Sequence, residues 1–122
     1  MDMGRILIII STLFLLGAGM YERDVKVIEA LKNNGSDVSK PHNIDFFLDF
    51  KEFDSAAPVA QEMDKDGFNV KVFENQDGTY TIEAKKIVIP SISNMTKISN
   101  KLHGLTNKYG GEYDGWGTEV VE

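Results

Sequence analysis

The sequence predicts an α+β domain of the ferredoxin-like, split βαβ type: a four-stranded antiparallel sheet with two helices on one face, preceded by an extra N-terminal helix. Three observations predict it. Apolar spacing switches between helical and strand periods in the order helix, strand, helix, strand, strand, helix, strand. An Asp77-Gly78 pair joins the two adjacent strands, as a tight hairpin requires. A length of 122 residues, with 42% apolar and 26% charged side chains, suits one ordinary globular core and excludes a disordered or fibrous chain.

From Glu22, the residues Val25, Ile28 and Leu31 recur at three-residue steps with Val27 beside them, and Gly35 supplies a left-handed stop: a short amphipathic helix. Residues 36–43 read as an ordered connector, because Pro41 fixes its own backbone and disfavours helix at Lys40. Across residues 43–50, Ile44, Phe46, Leu48 and Phe50 alternate with Asn43, Asp45, Phe47 and Asp49, the pattern of a half-buried strand. Asp54 and Ser55 are cap-type residues before Ala56, Ala57, Ala60 and Met63, and Gly67 closes that helix. Pro58 fits the free first turn if Ser55 is the cap and removes a helical bond if Asp54 is.

Val70 and Val72, then Tyr80, Ile82 and Ala84, are the hairpin strands. After Pro90, one apolar stripe runs through Ile92, Met95, Ile98, Leu102, Leu105 and Tyr109, a long helix ended by Gly110 and Gly111. Residues 112–121 supply the last strand. In the stretch 110–117 four glycines, Gly110, Gly111, Gly115 and Gly117, are threaded among Glu112, Tyr113, Asp114 and Trp116; glycines that frequent would weaken a regular strand and therefore predict a bulge or a close backbone approach.

Residues 1–21 form an apolar N-terminal segment ahead of a single domain at 22–122. Residues 6–20 are uncharged and preceded by Arg5; as a helix they are short for a full membrane span. Three readings stand: a membrane tether giving contact with the inner membrane, a cleaved export signal, and an upstream extension or buried helix. In a tether, Arg23, Lys26 and Lys32 outnumber Arg5 and favour a cytoplasmic domain.

The absence of cysteine excludes disulfides, thiolate metal sites and thiol nucleophiles. No Gly-rich phosphate loop opens a helix, so no cofactor is expected. Asp45 and Asp49 offer a weak cation site that a solvated face explains better, and no metal is expected. His42 and His103 are the only histidines, and nothing in the pattern aligns either with a nucleophile and an orienting acid. The chain therefore reads as something other than an enzyme.

A net charge of −6 repels a polyanion. Sheet-face RNA binding needs stacking aromatics beside cations, whereas Phe47 stands among Asp45, Asp49 and Glu83, so no direct contact with nucleic acid is expected. Residues 91–111 carry Lys97, Lys101 and Lys108 and no acid, either a solvated face or a docking strip. Tyr113 and Trp116 either complete the core or anchor a partner.

The string Gly110-Gly111-Glu112-Tyr113-Asp114-Gly115-Trp116-Gly117, together with Gly35-Ser36-Asp37, Lys40-Pro41-His42 and the strand from Ile44 to Phe50, resembles the RraB-type regulators of ribonuclease E activity over roughly residues 24–122. That resemblance implies a ferredoxin-like bacterial protein without enzymatic activity, which binds the endoribonuclease and reduces cleavage of a subset of transcripts. The candidate partner-binding residues are Tyr113, Asp114, Trp116, Lys97, Lys101, Lys108 and Phe47. The competing expectation is a small-ligand-binding or envelope-associated α+β domain.

Overall fold

A computed structural model describes residues 7–9 and 19–122. Its elements are β1 (Leu7–Ile9), α1 (Met20–Asn33), β2 (His42–Phe50), α2 (Phe53–Lys65), β3 (Asn69–Glu74), β4 (Tyr80–Val88), α3 (Ile92–Lys108) and β5 (Glu112–Glu119). All strand pairs are antiparallel, in the order β1-β5-β2-β4-β3. Strands β2 to β5 give the expected split βαβ sheet, with β2 and β4 central.

The alternation read in β2 sets the two layers. Ile44, Phe46, Leu48 and Phe50 are buried on the inner face, where they meet Ile82 and Ala84 of β4 and Tyr113 and Trp116 of β5. Helix α1 contributes Val27, Ile28 and Leu31 to the same core, α2 contributes Ala56, Val59 and Met63, and α3 contributes Met95 and Leu102. All three helices thus cover one side of the sheet.

The helix starts differ from the sequence reading in two places: α1 begins at Met20, two residues before Glu22, and α2 begins ahead of its expected caps. Ser91 caps α3, its Oγ accepting the Asn94 N–H at 3.1 Å. Helix α2, however, has Glu52 at its N-cap position, ahead of both Asp54 and Ser55, with no side-chain capping bond. Pro58 consequently sits inside the helix, where its missing N–H leaves the carbonyl four residues back without its helical donor. The extended backbone of Glu52 already accommodates the turn out of β2, so the polar caps further on are not used.

Two glycines are required by geometry. Gly115 adopts φ 101° at an irregularity in the β2–β5 register between Phe47 and Leu48, the bulge that the glycine-rich string predicts. At Gly111 a Cβ would lie 2.3 Å from Phe50 Cε1 and 2.8 Å from the Asp49 carbonyl oxygen, so only glycine lets this turn close against β2.

The apolar N-terminal segment contributes one described strand. Leu7–Ile9 is a strand, with Ile8 opposite Thr118 on β5, and not part of a continuous helix over residues 6–20. Its β-branched isoleucines favour extended backbone, and the outer edge of β5 offers unpaired backbone groups. Residues 10–18 lie outside the described residues, and with them the tether, signal and buried-helix expectations. Among the described residues no helix is long and apolar enough to cross a membrane.

Candidate functional site

Because the helices share one side, the other side of the sheet carries the polar half of each alternating strand. Strand β2 places Asn43, Asp45, Phe47 and Asp49 there. The register sets Lys85 of β4 opposite Asp45, Glu83 opposite Phe47 and Thr81 opposite Asp49. Strand β5 adds Glu112 beside Asp49 and the bulged Asp114 beside Phe47, and β3 adds Lys71 and Phe73 at the far edge. The face is acidic overall, with Phe47 half-buried near its centre. Gly115 lies opposite Phe47 and brings no side chain over the ring. Hollows of about 570 and 260 Å³ open at the two ends of β2, one beside Asn43 and Asp45, the other beside Asp49 and Glu112.

The electrostatics of this face follow from its pairs. Lys85 Nζ donates to Asp45 Oδ1 at 2.5 Å, and that bond, with the further charges of Glu83 and Glu119, holds the ammonium pKa above its ordinary value. Thr81 Oγ1 donates to Asp49 Oδ1 at 2.7 Å. Burial nevertheless raises the pKa of Asp49, the neighbouring charges of Asp114 and Asp77 push the same way, and the Thr81 bond only partly opposes them. An added cation would relieve this crowding of carboxylates.

The aromatic candidates lie elsewhere. Tyr113 is 3% and Trp116 1% exposed, so neither ring presents the surface that a binding hot spot needs. Trp116 Nε1 and Ser99 Oγ both donate to Asp24 Oδ1 at 2.8 Å, and Tyr113 Oη lies 3.3 Å from Ser99 Oγ. Arg23 Nη2 donates to the Tyr113 carbonyl at 3.4 Å, and its guanidinium lies 5.9 Å from the centre of the Tyr113 ring. These rings pin β5 to α1 and α3 and complete the core. Burial raises the pKa of Asp24 against the pull of the Trp116 and Ser99 bonds and of Arg23, and burial likewise pushes up the Tyr113 phenol.

The lysines of α3 are exposed on the helix layer, away from the acidic face. Lys101 pairs with the Asp66 carboxylate, and Lys108 stands 5.4 Å from the centre of the Tyr109 ring. Lys97 lines a cleft with Lys86 and Lys101. The structure therefore brings Phe47 and Asp114 together on the sheet face, Lys97 and Lys101 together on the helix layer, and separates both groups from Tyr113 and Trp116.

Of the two histidines, His103 is exposed, within 3.2 Å of Asn107. His42 is buried at the start of β2, its Nε2 2.6 Å from Ser36 Oγ and its Nδ1 2.7 Å from the Lys40 carbonyl. Ser36 Oγ also accepts the Val121 N–H at 3.0 Å, and the Asp37 N–H donates to the Val121 carbonyl at 2.6 Å. These contacts form a clasp between the connector and the segment after β5. Among the described residues no cluster of three or more histidines, aspartates or glutamates is placed to hold a metal ion.

Sequence reasoning missed Asp24 and Ser99, although a signal was present. Asp24 precedes Val27, Ile28 and Leu31 by three, four and seven residues, and Ser99 falls between Met95 and Leu102 at core spacing. A polar residue in an apolar stripe implies a buried partner.

The fold and its faces define a ferredoxin-like α+β domain whose sheet has one helix-covered face and one acidic face that no other described element covers. The sequence model of a family described as "Regulator of ribonuclease activity B" matches residues 22–118, and the chain belongs to that family. It is 31% identical to a protein named Regulator of ribonuclease activity B from Pseudoalteromonas atlantica, over 86% of this chain and 94% of that one. It is 33% identical to a protein of the same name from Pantoea ananatis, over 75% of this chain and 69% of the relative.

Proposed function

We propose that this chain is a non-catalytic, protein-binding regulator that inhibits an endoribonuclease of the ribonuclease E type, meeting basic segments of that enzyme with its open sheet face. The observation that carries the reading is that face: an acidic surface left uncovered by the three helices, with Phe47 at its centre. Complementary charge steers encounter, and the half-buried aromatic ring supplies the contact that charge alone does not. Cationic segments that hold RNA phosphates would be occupied by carboxylates in the complex, which lowers cleavage of transcripts that depend on them.

The serine and histidine that come together in this fold support a role without turnover. Ser36 and His42 are 8% and 1% exposed, and the serine hydroxyl is already engaged by the Val121 N–H. A nucleophile so enclosed has no approach for a scissile bond. Placement in the cytoplasm belongs to the same reading, since the nuclease acts on transcripts there.

The test is binding and cleavage with purified nuclease. Wild-type protein is expected to associate at low salt, to slow cleavage of a structured transcript, and to lose affinity as salt rises. The double variant Glu83→Lys, Glu112→Lys should bind at least about tenfold more weakly, and Phe47→Ala should weaken binding without changing the salt slope. No association at low salt, or association indifferent to the charge reversal, would defeat the proposal.

A further inference from the structure

A second feature lies on the opposite layer and is independent of the sheet-face reading. A cleft of about 380 Å³ opens between α3, β4 and the turn that joins α2 to β3. Its volume is at the low end of the roughly 300–1,000 Å³ typical of small-molecule sites. The floor is apolar: Phe68 and Leu102 are buried beneath it, while Val88 and Ile98 are half-buried and line it.

The rim is cationic in a chain whose net charge is −6. Lys86, Lys97 and Lys101 stand around the opening against one carboxylate, Asp66. That carboxylate is committed to Lys101, and the Asp66 carbonyl accepts from Lys86 Nζ at 3.0 Å. The same Nζ lies 4.7 Å from the centre of the Phe68 ring, which fixes Lys86 over the floor. Lys97, one turn before Lys101 on α3, has no hydrogen-bond or ion-pair partner among the described residues. The arrangement therefore offers an unengaged ammonium, two positioned ones and an aliphatic surface within one opening.

We infer that this cleft binds a small amphipathic organic anion, with its apolar body on Val88 and Ile98 and its carboxylate between Lys97 and Lys101. The hollow beside Asn43 and Asp45 is larger but lined mostly by polar groups, and it contains Asp45 and Glu119. A polynucleotide would need cations continuing past the opening. The next one on α3, Lys108, is seven residues beyond Lys101 and leans over Tyr109.

The probe is 2-naphthoate, titrated into isotopically labelled full chain and followed by amide chemical shifts, with 2-naphthylmethanol and inorganic phosphate as separate arms. The carboxylate is expected to give saturable shifts concentrated at Val88, Lys97, Ile98 and Lys101, and to bind at least about tenfold more tightly than the neutral alcohol or phosphate. Lys97→Gln should reduce its affinity about fivefold or more, and Ile98→Trp, which fills the opening, should abolish the localised shifts. An unshifted Trp116 indole signal in each variant shows that the core is intact. Scattered or absent shifts overturn the inference. So does equal binding of the alcohol or of phosphate, or a Lys97→Gln variant that binds as wild type does. Since none of these readouts involves the nuclease, failure here and failure of the regulatory reading are separable.

Discussion

At Asp24 an acidic side chain is held where the sequence pattern calls for an apolar one. The carboxylate is 3% exposed, Oδ1 takes two hydrogen bonds, and Oδ2 is buried without a partner. Substitution by leucine should cost about 2–4 kcal/mol in urea denaturation, because the Trp116 N–H and the Ser99 hydroxyl lose their acceptor inside the core. Asp24→Asn keeps an acceptor and removes the ionisation. With its pKa raised by burial, native Asp24 binds its proton more tightly than the unfolded chain does. Its contribution to stability therefore falls as pH rises from about the ordinary 3.8 through the raised value. Stability of the asparagine variant between pH 4 and 7 should consequently decline less with rising pH than that of the wild type. Gly111→Ala is expected to cost about 1–3 kcal/mol by the same measurement, since the new methyl meets Phe50 and the Asp49 backbone.

Among the elements, β5 shows what was legible in the sequence and what was not. Its glycines announced an irregular strand, and Gly115 provides the bulge. They did not reveal which way the rings turn, because Tyr113 and Trp116 are sorted by long-range partners on α1 and α3 that no local pattern encodes. Strand β2 was fully legible because strict alternation leaves a single register with one buried face. The start of α2 was misplaced because cap-type side chains are a weak preference that the exit from β2 overrides. Strand β1 was hidden because a short run of isoleucines reads equally as helix or strand. The open acidic face followed directly from the outward half of β2, whereas the Ser36–His42 clasp depended on contacts 85 residues apart, between Ser36 and Val121. Ser36→Ala should accelerate hydrogen exchange at the Val121 and Asp37 amides far more than at β2, marking local release of the tail.

Across the described residues, charge is segregated into an acidic sheet face and a basic strip along α3 on the helix layer, where Lys97, Lys101 and Lys108 have no acid among them. This orientation matters more for association than the net charge, since a basic partner is directed to one side. Burial and the charges of Asp114 and Asp77 keep Asp49 partly reluctant to ionise. A cationic partner favours the ionised form, so affinity should rise as pH rises through the raised pKa of Asp49, with protons released on binding. Calorimetry in buffers of different ionisation enthalpy measures that release directly, and it should vanish in Asp49→Asn.

Strand β5 follows every other described element, yet Trp116 is fastened to α1 and the next residues to the connector before β2. During synthesis, then, the central strand waits with one edge bare until those last residues have emerged from the ribosome. A transcript broken or a nascent chain stalled upstream of Trp116 would yield a polypeptide unable to settle, to be sheltered by chaperones or degraded.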